Sequence, residues 1–375
     1  MKYPENEQSL RLGRIREVMS KDGYDALVVY GGVWKIETIH YVANLRVQDR
    51  DACVVIPLSG DPTLFMSSKW DYERARQESW IEKIEVVPDR MMAAVGEEAS
   101  KYGNSIGVAG SEHMPNVFYD DMKSTVGNRT LANASMLLEN VAMIKTPWEL
   151  EIVRKCAEIA DAGFLAEIEY LYEGATEYEI IAELEYAMRK RGADDNFQMV
   201  GAGRNLSGMH FATEYKLKAG DLVLSEISPY IGCASYTTQL CKTVIFGEAT
   251  SFEREKYQLL CDAMQFALDN LKPGSRAMDL CLWQNEVIGG AGYEEYCWPP
   301  YMRTRGHNFG LGNIDLSHKN ELVLQPNMVM VVHPNQFIPD IGYLACGDTI
   351  ITTEDGGYER LSKVPKQLIE VLPRT

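Results

Sequence analysis

The hydrophobic pattern of residues 1 to about 137 is typical of alternating helices and strands. Apolar residues recur at helical spacing over 8–19, which predicts an amphipathic helix. Apolar runs at 26–30 and 52–56 have the length of buried strands, and the alternation continues to about Ala134. Such alternation favours a layered sheet covered by helices, so this part is predicted to be a small α/β domain.

The next part of the chain contains two helix-start signals. In the segment 146–149 (TPWE), Thr146 can cap a helix, Pro147 fits the first helical position and Glu149 can bond back to the cap. Apolar residues at helical spacing follow it. The segment 176–179 (TEYE) repeats the capping pattern and predicts a second helix that ends at about Arg191.

After Gly192, short strand-like runs alternate with turns and two further helices. The predicted strands are 222–227, 243–246, 328–332 and 349–352, and the predicted helices lie near 251–272 and 277–290. The fold class is therefore predicted to be α+β, with domains at 1–137 and 138–375.

Composition and charge exclude several classes of protein. The 375-residue chain carries 37 Lys and Arg against 54 Asp and Glu, a net charge of −17. This argues against nucleic-acid binding, which needs a positive surface. No apolar run has the length of a membrane-spanning helix, and residues 1–16 lack a signal-peptide pattern. We therefore expect no membrane partner and a cytoplasmic location.

Two common cofactor signatures are missing from the sequence. The eight cysteines form no C-x-x-C pair, so a zinc-knuckle or thioredoxin-like site has no support and reduced thiols are expected. The glycines after the strand at 26–30 do not form G-x-G-x-x-G, so a dinucleotide site is not indicated either.

Several short segments stand in an informative order. They are 143–150 (MIKTPWEL), 218–224 (KAGDLVL), 306–310 (GHNFG), 325–329 (QPNMV), 347–349 (GDT) and 353–356 (TEDG). Together they resemble motifs of the creatinase/aminopeptidase P/prolidase family, which has the pita-bread fold, and the resemblance covers nearly the whole chain. It implies a small N-terminal α/β domain and a C-terminal domain of curved antiparallel sheet with helices. It also implies an active site in the concave sheet and a homodimer.

The resemblance also identifies the positions at which peptidases of this family hold two divalent metals, with two Asp, one His and two Glu. In this chain those positions are occupied by Glu226, Gln239, His307, His333 and Gly347. A dinuclear site needs bridging carboxylates, and one carboxylate remains. We therefore expect no dinuclear centre and no metal cofactor. The alternative is a single divalent ion on Glu226, His307 and His333, a donor set that suits Zn, Fe or Mn.

Four residues are candidates for catalysis. In creatinase, a member of the family's metal-free branch with ectoine hydrolase, a histidine before the K-x-G-D strand is the general acid and base. His210 resembles it in position and suits proton transfer near pH 7. Glu226 lies in an apolar strand, where a lone carboxylate is costly to bury, and could hold a cation or act as nucleophile. His307 could stabilise developing charge, and His333 could orient substrate or transfer a proton. A structural role, such as a loop hydrogen bond or an ion pair, is the alternative for these residues.

Four further residues are candidates for substrate binding. Arg50 aligns with the arginine that binds the substrate carboxylate in creatinase, and Arg46 is a substitute for it. An arginine fork binds a carboxylate through two hydrogen bonds. The alternative for Arg50 is an ion pair with a neighbouring aspartate. Tyr236 and Gln239 lie on the strand that lines the site in the family, and their uncharged polar groups suit hydrogen bonds to a substrate.

These features predict a metal-independent hydrolase that cleaves a C–N bond in a small amidine, amide or guanidino carboxylate, similar to creatinase or ectoine hydrolase. One alternative is an Xaa-Pro dipeptidase or aminopeptidase with a single metal. Others are a lyase, in which His210 removes a proton from carbon, and a non-catalytic binding module. The partners expected are a small-molecule substrate and a second copy of the chain.

Overall fold

The structure is a computed structural model that describes residues 3–232, 235–308 and 310–373. The chain divides into two compact units. The first comprises Met1–Met143 with Gly232–Ser235 and Gly310–Gly312, and the second comprises Ile144–Ile231, Tyr236–Phe309 and Asn313–Thr375.

The first unit is built on a six-stranded mixed sheet. Its strands are β1 (Ala26–Gly32), β2 (Asp51–Pro57), β3 (Thr63–Met66), β4 (Lys83–Val86), β5 (Ser105–Ala109) and β6 (Thr130–Asn133), in the order β4-β3-β2-β1-β5-β6. Its helices are α1 (Glu7–Asp22), α2 (Glu37–Ala43), α3 (Tyr72–Glu78), α4 (Met91–Ala99), α5 (Asn116–Lys123) and α6 (Ser135–Met143), with a short 3-10 turn at Ser111–His113. Strand β1 is antiparallel to β2 and parallel to β5.

Strand β1 is buried on both faces, which explains its continuous apolar run. Leu27 and Val29 belong to a core that also contains residues of α1 and α6. Val28 and Tyr30 point the other way, into a core with residues of α4. A strand between two helical layers has no solvent face and needs no polar alternation.

The second unit contains four long helices and several short strands. The helices are α7 (Pro147–Tyr170), α8 (Glu177–Arg189), α9 (Ser251–Asp269) and α10 (Ala277–Ile288), with a π-helical turn at Gly289–Tyr293 and a 3-10 turn at Glu294–Cys297. The strands are β7 (Asp195–Gly203), β8 (Leu222–Ile231), β9 (Tyr236–Thr237), β10 (Leu240–Ile245), β11 (Gly306–His307), β12 (Val329–Val332), β13 (Gln336–Ile338), β14 (Gly342–Leu344), β15 (Asp348–Thr352), β16 (Tyr358–Arg360) and β17 (Ile369–Glu370).

Two sheets meet in this unit. One has the order β17-β10-β8-β7, with β9 paired to β8, and the other has the order β11-β12-β15-β16. Cys241 of β10 forms a bridge with Gly347, the residue before β15. Hydrogen bonds run in both directions across this bridge, at 3.0 Å and 2.9 Å between backbone N and O, so the two sheets are connected there.

Both predicted capping boxes are confirmed. Thr146 accepts a hydrogen bond from the backbone N–H of Glu149, and the Glu149 carboxylate accepts one from the Thr146 N–H. Thr176 and Glu179 make the same pair of bonds at the start of α8. Within the described ranges, every helix is too short or too polar to cross a bilayer.

Candidate active site

One face of the connected sheets in the second unit carries the residues at the predicted ligand positions. Glu226 of β8 pairs with Cys241 of β10, and Cys241 bridges to Gly347. The pairing of β15 with β12 then places His333 opposite Gly347. Directly paired residues of antiparallel strands point to the same face. These four positions therefore form a row across one face, which we call the Glu226 face.

His333 occupies space that Gly347 leaves open. A Cβ atom on Gly347 would lie 2.4 Å from the Cβ of His333 and 2.8 Å from its Cα, so no side chain fits at 347 without movement. The ring of His333 is buried, and neither ring nitrogen has a hydrogen-bond partner among the described residues. Burial, with a smaller contribution from His307, lowers the pKa of His333 to about 3. The imidazole is therefore neutral at physiological pH.

His307 lies directly beside His333. The two ring centroids are 5.0 Å apart, and the rings meet edge to face at 71°. His307 sits on the short strand β11, and its neighbour Gly306 has a φ of 151°, where a Cβ would lie 2.1 Å from the carbonyl oxygen of Val331. Burial also lowers the pKa of His307. The structure therefore brings together two neutral imidazoles.

Glu226 is buried and hydrogen-bonded to an asparagine. Its Oε1 accepts from Nδ2 of Asn335 at 2.9 Å. Burial raises the pKa of the Glu226 carboxyl, and the bond from Asn335 opposes that shift. Asn335 is itself fixed, because its Oδ1 accepts from the backbone N–H of Cys346 at 2.8 Å. One oxygen of the Glu226 carboxylate is thus engaged by Asn335.

Arg305 supports this arrangement and is absent from the sequence-based candidates. Its side chain is fully buried. It donates to the backbone carbonyl of Asn335, to Oδ1 of Asn285 and to Oε1 of Gln336, each at 2.7 Å. The backbone carbonyl of Arg305 also accepts from the His333 N–H at 3.1 Å. Arg305 therefore contacts the segment that carries His333 and Asn335 from both its backbone and its side chain.

Gln239 and Tyr236 have different surroundings. Gln239 lies two residues before Cys241, on the Glu226 face, and is buried. Its Oε1 accepts from the Cys241 thiol at 3.5 Å, while its Nε2 has no partner within the described part of the chain. Tyr236 packs in a core with residues of α7, and its hydroxyl donates to Oε1 of Glu149 at 3.3 Å.

His210 lies against the edge strand of the same sheet. Its Nε2 is 2.6 Å from the position that a Cβ on Gly201 would take, so the ring covers this glycine. Gly201 pairs with Leu224, two residues before Glu226, which places His210 on the Glu226 face. Nδ1 of His210 is 2.9 Å from the carbonyl oxygen of Phe211, and Nε2 is 3.9 Å from Oε1 of Glu177.

His210 borders an open groove of about 730 Å³. Its lining includes Glu177, Arg204, Leu206, Phe211, Lys218 and Asp221. The groove thus combines cationic, anionic and apolar side chains. Glu177 is completely buried and accepts hydrogen bonds from the backbone N–H of Ala202 and from Thr213. Its position is therefore fixed beside His210.

Arg46 and Arg50 belong to the first unit. Arg50 is exposed and has a φ of 53° just before β2, and its carbonyl accepts from the N–H of Val33 at 3.0 Å. The carbonyl of Arg46 accepts a hydrogen bond from Arg74. Their predicted contacts with a substrate carboxylate stay predictions.

The residues present do not fit the family's pair of divalent metals. Gln239 is neutral, and Gly347 has no ligand atom. The carboxylate next to Gly347, Asp348, has a buried cation as its partner, with Nζ of Lys242 at 3.4 Å from its Oδ1. In the described ranges, no group of three or more His, Cys, Asp or Glu side chains is arranged to hold a metal ion.

Comparison with known proteins identifies the relatives of the chain. The model described as "Metallopeptidase family M24" matches residues 151–354, and "Creatinase/Prolidase N-terminal domain" matches residues 11–144. An Xaa-Pro dipeptidase of Pyrococcus horikoshii is 27% identical over 367 residues, which are 96% of this chain and 98% of the relative. A creatinase of a Bacillus species is 26% identical over 393 residues, covering 97% of this chain and 92% of the relative.

Solved structures agree with this result. The prolidase from Pyrococcus horikoshii has a TM-score of 0.83 and 27% identity, and the match covers 96% of this chain and 100% of that one. An Xaa-Pro dipeptidase from Bacillus anthracis has a TM-score of 0.85 at 24% identity, covering 97% and 99%, which supports the fold. The predicted architecture, an α/β domain followed by a pita-bread domain, is confirmed.

The predicted creatinase-like, metal-independent activity is wrong. Relatives at 27% and 29% identity are Xaa-Pro dipeptidases, and the model that matches the second domain describes metallopeptidases. The comparisons therefore favour the peptidase alternative over cleavage of an amidine or guanidino compound, and they do not support the expectation that no metal cofactor is used. The predicted family is confirmed: this chain belongs to metallopeptidase family M24.

Proposed function

We propose that this chain hydrolyses the C–N bond of short peptides and that its substrates are Xaa-Pro dipeptides. The observation that carries the proposal is the similarity to an Xaa-Pro dipeptidase over 96% of this chain and 98% of the relative. We also propose a homodimer and a cytoplasmic location, which remain predictions.

The groove beside His210 supports a dipeptide as substrate. Its volume of about 730 Å³ is in the range of small-ligand sites. Lys218 supplies positive charge and Asp221 supplies negative charge, while Arg204 is paired with Glu253. A dipeptide zwitterion carries one charge of each sign. Leu206 and Phe211 add apolar surface on which a proline ring can pack.

His210 is the proposed general acid and base. The carbonyl oxygen of Phe211 can only accept a hydrogen bond, so Nδ1 of His210 carries the hydrogen in that contact. In the neutral ring Nε2 is then the proton acceptor, able to take a proton from an attacking water. The fixed carboxylate of Glu177, 3.9 Å from Nε2, would stabilise the imidazolium that results. The same nitrogen can return the proton to the leaving proline nitrogen.

Glu226, His307 and His333 lie on the same sheet face as His210 and are proposed to surround the scissile amide. In the single-metal form of this proposal these three residues would be the ligands. The dipeptidase assay measures the metal dependence directly.

A dipeptidase assay tests the proposal. Purified full-length protein is incubated with Ala-Pro, Gly-Pro, Ala-Ala and creatine, after chelation and with Mn²⁺, Zn²⁺ or Fe²⁺ added singly. We expect release of proline from both Xaa-Pro dipeptides, faster than cleavage of Ala-Ala. His210→Asn should lower kcat about 10²- to 10⁴-fold. The matched control His113→Asn, at a half-exposed histidine of the first unit, should leave kcat unchanged. Absence of proline release under every metal condition, or cleavage of creatine alone, would refute the proposal.

A further inference from the structure

Buried polar atoms of Gln239 and His333 on the Glu226 face lack partners among the described residues. Gln239 and His333 have only 2% and 6% of their surface exposed. Gln239 Nε2 and both ring nitrogens of His333 have no hydrogen-bond partner among the residues described by the structure. Buried polar atoms in proteins are nearly always hydrogen-bonded. These three atoms therefore indicate a ligand that supplies the missing partners.

Gln239 and His333 flank the segment that contains Gly347. Gln239 directly precedes β10 and His333 follows β12, with the segment from Gly347 to Thr349 between them. Because Gly347 has no side chain, His333 leans over it, and its Cβ comes within 2.4 Å of the position of the missing Cβ. Paired Cβ atoms on adjacent strands are ordinarily about 4.5–5.5 Å apart. His333 thus packs closely against Gly347, which lies between it and Gln239.

The Gln239 amide has a defined orientation. Its backbone N–H donates to Oγ1 of Thr349 at 2.8 Å, and the Thr349 hydroxyl donates to its backbone carbonyl at 2.9 Å. The Cys241 thiol donates to its side-chain Oε1 at 3.5 Å. With the oxygen engaged, the unpartnered end of the amide is the NH₂ group, which can only donate.

A ligand group that pairs with the Gln239 NH₂ must therefore accept hydrogen bonds. A neutral His333 ring has one N–H and one acceptor nitrogen, so His333 can add a second donor beside Gln239. The Gln239 donor is uncharged, and a carboxylate buried against it would lose its hydration without gaining an opposite charge there. An amide carbonyl oxygen is neutral and avoids that cost. In an Xaa-Pro peptide the scissile amide nitrogen has no hydrogen, so the carbonyl oxygen is its hydrogen-bonding atom.

Building on the proposed function, we propose that Gln239 and His333 form a carbonyl-binding subsite. Gln239 Nε2 and the ring N–H of His333 donate to the oxygen of the scissile amide. When water attacks the carbonyl carbon, the C=O π electrons move onto this oxygen, and both hydrogen bonds strengthen as its negative charge grows. The two residues are therefore catalytic, acting on kcat more than on binding.

The decisive variant is Gln239→Met, which keeps the length of the side chain and removes both N–H donors. We expect kcat for Ala-Pro to fall about 10²-fold or more, as for loss of one oxyanion donor, with a much smaller change in KM. The ratio of the rates for Ala-Pro and its thioamide analogue should also fall toward one. Sulfur accepts hydrogen bonds more weakly than oxygen, so loss of the Gln239 donor slows the oxygen substrate more than the sulfur one. The Tm of the unliganded variant should not decrease, since a buried unpaired donor is removed.

Gln198→Met is the matched control. Gln198 is a buried glutamine on the adjacent strand β7, and it pairs with Ile227, which points to the opposite face from Glu226. This variant should keep both the kcat and the oxygen-to-sulfur ratio of the wild type. His333→Leu is the second test and should lower kcat in the same way as Gln239→Met.

The outcomes are distinguishable. If the wild type hydrolyses Ala-Pro but Gln239→Met and His333→Leu keep its kcat and rate ratio, the subsite is wrong and the proposed function stands. A lower Tm together with an unchanged rate ratio would indicate a structural role and would also overturn the subsite. If the wild type hydrolyses no Xaa-Pro peptide, the proposed function is wrong and the subsite falls with it.

Discussion

At position 347, the close packing of His333 requires a glycine. A Cβ added to Gly347 would meet the Cβ of His333 at 2.4 Å and the carbonyl oxygen of Val332 at 2.9 Å. Both are near the backbone and cannot rotate away. We expect Gly347→Ala to lower the free energy of unfolding by about 1–3 kcal/mol, the usual cost of overpacking. Urea denaturation followed by circular dichroism measures it.

Gly13→Ala is the control for this prediction. Gly13 lies within α1, and a Cβ there has no atom within 4 Å. Alanine in a helix interior is favoured over glycine by about 0.5–1 kcal/mol, so this variant should be more stable than wild type. If Gly347→Ala were as stable as wild type while Gly13→Ala gained stability, the close packing of His333 on Gly347 would be wrong.

Residue-level prediction from the sequence was uneven, and the reason is physical. The motifs identified His307 and His333, and the structure brings these two rings together. They did not identify Asn335 or Arg305, although these residues hold Glu226 and its surroundings. An arginine between two short turns has no local pattern that indicates burial, because its acceptors come from distant segments. Such tertiary hydrogen bonds are invisible to sequence spacing.

At the scale of elements, α7 carries a buried carboxyl against β8. Glu167 is fully buried, and its Oε1 accepts a hydrogen bond from the Ser225 hydroxyl, while Oε2 has no partner among the described residues. Burial raises the pKa of Glu167 to about 7, above its ordinary value of 4.5. The folded protein therefore binds this proton more tightly than the unfolded chain does. The resulting stability is complete below pH 4.5 and is lost as the pH rises to about 7.

Glu167→Gln should remove that pH dependence. We expect the variant to exceed wild type in free energy of unfolding by about 3 kcal/mol at pH 8 and to show no such gain at pH 4. Denaturation at the two pH values measures the difference. Glu158→Gln, at an exposed residue of the same helix, is the control and should change little at either pH. A gain of equal size at both pH values would contradict the raised pKa.

The elements themselves were predicted best where local signals were strong. Capping residues and apolar spacing gave α7 and α8, and the predicted helices near 251–272 and 277–290 correspond to α9 and α10. Strand β7 was not predicted. Its sequence, DNFQMVGAG, begins with polar residues and ends in small ones, so it shows no alternation. It forms a strand because β8 pairs along its whole length, from Asp195 to Gly203.

At the scale of the whole molecule, two features have opposite effects on the binding of divalent cations. The negative net charge attracts them, whereas the changed ligand positions disfavour tight binding of two. A net charge of −17 attracts cations diffusely. Tight binding of two ions needs several carboxylates directed at the same site. Gln239 and Gly347 have no carboxylate, and the carboxylate of Asp348 is paired with Lys242. Diffuse attraction is screened by salt, since the Debye length is only about 3 Å at 1 M ionic strength.

We therefore expect at most one tightly bound divalent ion per chain. Protein saturated with Mn²⁺ or Zn²⁺, then dialysed into metal-free buffer at low and at high salt, is analysed by plasma mass spectrometry. Excess ions at low salt should disappear at high salt and leave a stoichiometry of one or less. Two ions that persist at high salt would contradict this prediction. The protein would then bind a metal pair although Gln239 and Gly347 provide no anionic ligand at two of the five positions.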